Sequence, residues 1–298
     1  MVTMKSLFNR ANNRIKDHFV SAAFLAPSLI GVLVFFVIPF AVVIFYSLVN
    51  NPVAKEFVGL DNFIAVIKNQ AFQTAAKNTA AFSGIAVPLA VILGLFLALL
   101  LDCKIPCRSQ FRTFFLCPMM VPVASIVLIW RVFFDQNGVV NLLLANFGVE
   151  QIDWLKSEYS RYVIIILFLW KNLGYNMILF MAALNNIPKD ILEMSTLEGA
   201  GSIKKFWYIK MPYLVSSIVF VTILSLINSF KVFREVYLLT GDYPYGDLYL
   251  LQHFMNNMFR SLDYQKLSTA AILMCIVVVI LIGIMFIVDN KAGKDIEG

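Results

Sequence analysis

The sequence predicts an all-α protein, a polytopic membrane helical bundle with six transmembrane helices. Three observations predict it. Of 298 residues, 60% are hydrophobic and 14% charged, where an ordinary soluble domain carries roughly a quarter charged. Apolar runs near the length a helix needs to cross the hydrocarbon layer, about 20 residues, recur along the chain. Lys and Arg gather in every second connection between those runs, the signature of alternating sidedness.

The spans follow in order. Phe19 to Val49 is apolar and punctuated by Pro27 and Pro39. Its length and the absence of a convincing cleavage site make it a retained span rather than a signal peptide. Thr79 to Leu101, Met211 to Phe230 and Leu267 to Val288 carry no charge. Phe114 to Trp130 is shorter and ends at Arg131, which can snorkel. Tyr162 to Ile187 is interrupted once, by Lys171. A transmembrane domain over 19–288 therefore sits between tails at 1–18 and 289–298.

Sidedness follows from charge. Lys5, Arg10, Arg14 and Lys16 precede the first span, and Lys104, Arg108 and Arg112 join the second to the third. Lys189, Lys204, Lys205 and Lys210 join the fourth to the fifth, and Lys291 and Lys294 follow the sixth. These segments fall on one side, which the positive-inside rule makes cytoplasmic, with both termini. The net charge of +6 is thus a topology signal and not a nucleic-acid footprint. Cys103 and Cys107 share a cytoplasmic connection but lack companion ligands, since His18 and His253 lie elsewhere. They are read as reduced structural thiols with no metal.

On the opposite side, Asp61 is placed to cap a short surface helix with Phe63, Val66 and Ile67 on one face. Residues 135–161 and the tyrosine-rich stretch 235–265 are read as outer loops. Trp130, Phe133 and Phe134 are interface anchors.

Between the fourth and fifth spans lies a polar segment with more organisation than a connector needs. Pro188 opens it, and residues 189–197 are good helix formers. Ile191, Met194, Ser195 and Glu198 recur on one helical face. Gly199, Ala200 and Gly201 make a small-residue turn. A second short helix, Ser202 to Met211, follows, and Pro212 ends it. Such a helix–turn–helix can seat in a groove of a soluble partner, with Glu193 and Glu198 facing basic groups.

Polar side chains inside spans are costly and face a cavity or a partner helix. The fourth span carries Lys171, Asn172, Tyr175 and Asn176; the fifth carries Asn228, Ser229, Lys231, Arg234 and Glu235. Lys231 and Glu235 are spaced to pair within one helix. Amides, hydroxyls and rings suit a polyhydroxylated solute, and they equally suit hydrogen bonds between helices. No span shows a deep acidic residue, which counts against an ion-coupled secondary transporter. No phosphate-binding G-x-x-x-x-G-K-S/T occurs, so this chain is no ATPase.

The connector motif resembles the coupling loop of binding-protein-dependent ABC importer permeases, in Glu193-Met194-Ser195, Glu198-Gly199-Ala200 and Ile209-Lys210-Met211-Pro212. Met194 and Ser195 stand for two alanines, Glu198 for aspartate and Met211 for leucine. The stretches Phe57 to Phe63 with Asn78-Thr79, Arg112 to Pro118, and Trp130 to Asp135 also resemble that family, in the sugar class typified by maltose and glycerol-phosphate systems. The resemblance implies a type I ABC importer permease fold and no cofactor, with ATP bound by partner subunits. It implies a second homologous permease, two ATPase subunits, an extracytoplasmic binding protein and a prokaryotic inner membrane. It assigns ATPase coupling to Glu193, Met194, Ser195, Glu198, Gly199, Ala200, Gly201 and Pro212. It places Asn172, Tyr175, Asn176, Asn228, Ser229 and Lys231 near substrate. A same-fold permease for an amino acid or polyamine, a secondary transporter and a membrane scaffold are the alternatives.

Overall fold

The computed structural model describes residues 22–103 and 107–297, the side chains beyond Asn290 excepted. The basic tail at 1–18 lies outside them. Among the described residues, six helical stretches are long and apolar enough to cross a membrane. The helices are α1 (Ala22–Ser47), α2 (Asp61–Lys68), α3 (Gln70–Asp102), α4 (Arg108–Met120), α5 (Val123–Phe134) and α6 (Val139–Ala145). They continue as α7 (Ser160–Asn185), α8 (Lys189–Leu197), α9 (Ser202–Lys205), α10 (Met211–Lys231), α11 (Phe233–Thr240), α12 (Leu251–Arg260) and α13 (Tyr264–Glu297).

Prolines shape the spans without always breaking them. Pro27 and Pro39 lie inside a continuous α1. The turn before Pro39, Leu33–Val37, is π-helical, and Ile38 N–H reaches back to Leu33 O. The same device joins α9 to α10: Phe206–Lys210 is π-helical, and Met211 N–H bonds Phe206 O just before Pro212. The wider turn moves the carbonyl that the pyrrolidine ring would strike. Pro212 therefore does not end a second short helix, contrary to the sequence reading; one helical rod runs through it.

The third crossing, by contrast, is not one helix. Val121 precedes Pro122 and is forced into extended backbone (ψ 130°). The chain stops at Met120 and restarts at Val123, so the apolar run 114–130 is split between α4 and α5.

The second span is longer than its uncharged run. Asn69 caps α3 by accepting from Phe72 N–H at 3.1 Å. Its 33 residues extend to about 50 Å, well beyond a hydrocarbon layer of about 30 Å. The extra turns are fastened by tertiary contacts. Asn78 Nδ2 donates to Gly246 O (2.6 Å) and Tyr249 O (3.1 Å), and Thr79 Oγ1 accepts from Leu251 N–H (2.9 Å).

The bundle is centred on α3 against α7, with α10 closing one side, α4 packed on α7, and α1 applied to the outside of α13. One apolar cluster joins Phe82, Ile126, Trp130, Leu167, Phe168 and Val236 towards the α3 N-terminal end. A second joins Val91, Met177, Phe180, Leu214 and Val221 towards the other end. Hydrophobic side chains of α1 and α13 stay exposed over long stretches, as lipid-facing helices require.

Residues 235–265 are mostly helical, in α11 at the end of the fifth stretch and in α12, rather than a loop. Asp61 is the first residue of α2, not its cap; Leu60 holds the cap position with no side-chain bond. Val66 is buried there against Ala75, Phe254 and Ala270, while Ile67 is exposed.

His253 of α12 is fully buried. Its Nδ1 accepts from Leu250 N–H at 3.2 Å, and its ring lies edge-on to Phe233 at 4.7 Å. Burial lowers its pKa from 6.5 to about 4, against a smaller opposing pull from Asp242. The unfolded histidine binds a proton between those values while the folded one does not. Stability is thus complete above about pH 6.5 and falls as pH drops towards 4, by about 3 kcal/mol at the limit. Melting temperature measured across that interval in detergent should fall for the parent protein, and by less for His253→Gln.

Candidate functional site

Two features stand apart from ordinary bundle packing. The first is the element from Pro188 to Pro212 at one end. Helix α8 starts at Pro188 with Asp190 in its first turn, where a negative charge meets the helix dipole favourably. It closes in a Schellman turn: Ala200 N–H bonds Ser195 O (2.9 Å) and Gly199 N–H bonds Thr196 O (3.1 Å). Gly199 holds φ at +76°, the left-handed backbone that glycine adopts without penalty. Gly201 is instead extended, at φ −69°, and opens α9.

The element is anchored to the bundle. Ser195 is buried and donates to Leu192 O at 2.8 Å, whereas Ile191, Met194 and Glu198, which share its helical face by spacing, are exposed. Lys205 Nζ reaches Thr196 Oγ1 across the turn (2.6 Å). Lys210 Nζ pairs with Asp102 Oδ2 at 2.8 Å, tying the α9–α10 junction to the end of α3. Ile187 is buried, and Leu192 and Ile209 pack on the adjacent cluster. Away from these anchors, Glu193, Met194 and Glu198 are exposed, as are Leu197 (88%) and Ile203 (76%). Large apolar side chains at a polar turn mark a surface built for contact.

The second feature is a polar cavity of about 80 Å³ between α7, α10 and α11, lined by Lys171, Asn172, Asn228, Lys231 and Glu235 over Leu167, Phe168 and Val232. Lys171 Nζ pairs with Glu235 Oε1. This replaces the expected Lys231–Glu235 pair. The helix is interrupted at Val232, between α10 and α11, so the i, i+4 spacing does not bring those two together. Glu235 is only 3% exposed, and its Oε2 has no hydrogen-bond partner among the described residues. The acid that the sequence reading placed at the end of the fifth span is thus buried, and Lys171 is its ion-pair partner.

Asn228 Nδ2 donates to Asn172 Oδ1 (3.1 Å), and Asn172 Nδ2 to Phe168 O (2.8 Å). Asn176 and Ser229 lie elsewhere, buried between helices. Asn176 Nδ2 bonds Ser225 Oγ (2.9 Å) and Ala90 O (3.3 Å). Ser229 Oγ shares a hydrogen bond with Ser83 Oγ at 2.8 Å. Tyr175 is half-buried and outside the cavity wall. A larger cleft between α3, α10 and α13, about 660 Å³, is lined by Phe72, Val87, Leu226, Leu273 and other uncharged residues; it offers a polar solute little.

The sequence reading missed the close approach of α4 to α7. A β-carbon on Gly174 would lie 1.9 Å from Phe115 O. An isolated glycine in an apolar, proline-free span is the one signal that could have found it.

Six apolar crossings that enclose a small polar cavity, with a capped and exposed turn at one end, are the architecture of a membrane transport subunit. Residues 90–292 match the family of binding-protein-dependent transport system inner membrane components, and the chain belongs to it. It is 29% identical over 289 residues to the probable ABC transporter permease protein YesP of Bacillus subtilis (strain 168), covering 94% of this chain and 92% of that one. It is 31% identical over 213 residues to the arabinooligosaccharides transport system permease protein AraP of Halalkalibacterium halodurans, covering 67% of each. Its fold matches a chain of a bacterial ABC transporter involved in the import of the acidic polysaccharide alginate. The TM-score is 0.83 at 21% identity, over 95% of this chain and 99% of that chain.

Proposed function

We propose that this chain is the permease subunit of an ATP-driven importer that moves a sugar or sugar derivative delivered by an extracytoplasmic binding protein. The observation that carries the reading is the Schellman-capped element at 188–212, exposed outward and ion-paired to the bundle through Lys210. A rigid turn fixed at both ends transmits the movement of a docked partner into α3, α7 and α10. The partners are two ATPase subunits, which bind and hydrolyse ATP, and a second homologous permease. Glu193, Met194, Glu198, Gly199, Ala200 and Gly201 form the docking turn; Ser195 and Pro212 shape it from within. The relatives' sugar transport supports the solute class. Asn172, Asn228 and Lys231 are positioned to meet substrate, and Asn176 and Ser229 support the helices that carry them. The Lys-rich connections support a cytoplasmic side for the docking element and both termini.

Mass spectrometry of what co-purifies in gentle detergent tests the assembly. An ATPase and a second permease are expected; a chain that purifies alone overturns the reading. Gly199→Asp tests the turn. Among the described residues nothing lies within 4 Å of an added β-carbon there, so the cost is local backbone strain of about 1–2 kcal/mol. Substrate uptake should drop at least tenfold while the protein stays in the membrane. Unchanged uptake would remove the coupling assignment.

A further inference from the structure

An open polar cleft lies at the end of the bundle opposite the docking element. The C-terminal turn of α5, the connections on either side of α6 and the segment after α11 enclose about 590 Å³ there, within the range of roughly 300–1,000 Å³ typical of ligand pockets. Its rims are prebuilt. The buried Asn141 of α6 donates to Gln136 O (2.8 Å) and Ile152 O (2.7 Å) and accepts from Trp154 Nε1 (2.9 Å). The loops before and after α6 are thereby held as one wall. The Trp154 ring meets Phe134, which lines the cleft, edge-on at 6.1 Å. On the facing rim, Leu248 N–H bonds Tyr245 O at 2.8 Å and Asp242 pairs with Arg260 of α12, fixing the segment Tyr243-Pro244-Tyr245.

Two kinds of side chain cover these walls. Tyr243 and Tyr245 are exposed, and with Phe134 they give the cleft aromatic rings. The side-chain amides of Gln136 and Asn137 have no hydrogen-bond partner among the described residues; those two residues bond through backbone atoms alone. Charges of both signs balance, Arg131 and Lys156 against Asp135 and Asp153. Three of the four are oriented by the chain itself. Arg131 donates to Leu238 O (3.2 Å) near the end of α11. Asp135 and Asp153 each accept a backbone N–H through Oδ1, from Asn137 (3.1 Å) and Lys156 (3.2 Å). Such a cleft selects by ring faces and hydrogen-bond geometry, not by net charge. Amides and carboxylates supply the donors and acceptors that sugar hydroxyls require, and aromatic rings cover the apolar face of a sugar. A docked protein would press on a broad face of about 800 Å² rather than fill a cleft of ligand size. Resting on the sugar reading above, we infer that this cleft is an outer subsite for an oligosaccharide, occupied before the solute reaches the cavity at Lys171 and Asn172. Glu235 lines that inner cavity, and Leu239, one turn or about 6 Å further along α11, lines the cleft.

The test uses the native importer complex, in nanodiscs for binding and in proteoliposomes with its binding protein for uptake. Malto-, arabino- and galacto-oligosaccharides of two to four units are the probes, and saturation-transfer NMR detects those that bind the complex before binding protein is added. At least one series should bind. Tyr243→Ala/Tyr245→Ala should weaken that binding about fivefold or more and raise the half-saturating concentration for uptake by a similar factor. Tyr243→Phe/Tyr245→Phe should keep most of both, because the ring faces remain. Melting temperature should stay at the parent value in each variant, since neither tyrosine side chain bonds another described residue. Affinity of the complex for the binding protein is measured in parallel and should not move. Lost affinity for the binding protein with saccharide binding intact assigns the rim to protein docking and overturns the subsite. Saccharide binding and uptake that ignore the double alanine variant overturn it as well and leave the sugar reading standing. Uptake of none of the probes by the parent complex removes the sugar reading together with the subsite.

Discussion

Gly174→Ala should lower the melting temperature and the membrane abundance of the protein more than any other glycine-to-alanine change in its spans. The added β-carbon would sit 1.9 Å from Phe115 O and 2.4 Å from Phe115 C, both backbone atoms that cannot rotate away. Relief requires α4 and α7 to separate, and that separation opens the cluster in which Phe115, Met177 and Phe180 pack. Overpacking of this kind costs about 1–3 kcal/mol, and more when backbone is the obstacle. Against a total stability of roughly 5–15 kcal/mol, such a loss is visible. The comparison is internal. At Gly94 the nearest atom is the Asn176 β-carbon at 2.8 Å, also fixed to its backbone but a smaller overlap, and at Gly283 of α13 nothing among the described residues lies within 4 Å. Thermal unfolding in detergent should therefore rank the three variants Gly174 worst, Gly94 intermediate and Gly283 near the parent. Equal effects at Gly174 and Gly283 would refute the close approach.

How far the sequence foretold this arrangement depends on the range of the interaction involved. The six crossings were legible because apolar length is a local property, and so was the turn at Glu198-Gly199-Ala200, whose glycine and short residues spell out a helix terminus. Boundaries were not. Residues 70–78 are polar, yet α3 continues through them because Asn78 finds carbonyls at Gly246 and Tyr249, some 170 residues away along the chain. The break at Val121-Pro122 was readable in principle, from the constraint a proline places on its predecessor, but the apolar run around it masked the signal. The polar residues of the spans were identified by type and only partly by role. Asn172 and Asn228 line a cavity, whereas Asn176 and Ser229 turn into helix contacts, since a span surrounded by lipid and neighbours lacks the one-sided pattern that would orient them. The partner of Lys171 lay 64 residues off, beyond reach of any spacing rule.

That partnership makes the second prediction. Lys171→Met should destabilise the protein strongly, by about 3–5 kcal/mol, because removing one member of a buried pair strands the other charge. Glu235 is 3% exposed, so its carboxylate would be left without a counter-ion and with neither oxygen satisfied. Glu235→Gln should cost less. The Lys171 side chain retains about a quarter of its exposure, 27% against 4% for Glu235, and a long flexible ammonium can move towards water. The double variant Lys171→Met/Glu235→Gln should recover much of what Lys171→Met loses, since no unpaired charge then remains. Chemical or thermal unfolding of the four proteins in one detergent closes the cycle, with a coupling of several kcal/mol expected. Additive single effects would show that the two side chains do not meet in the folded protein. The coupling thus bears directly on the fold, since the pair fixes α11 against α7.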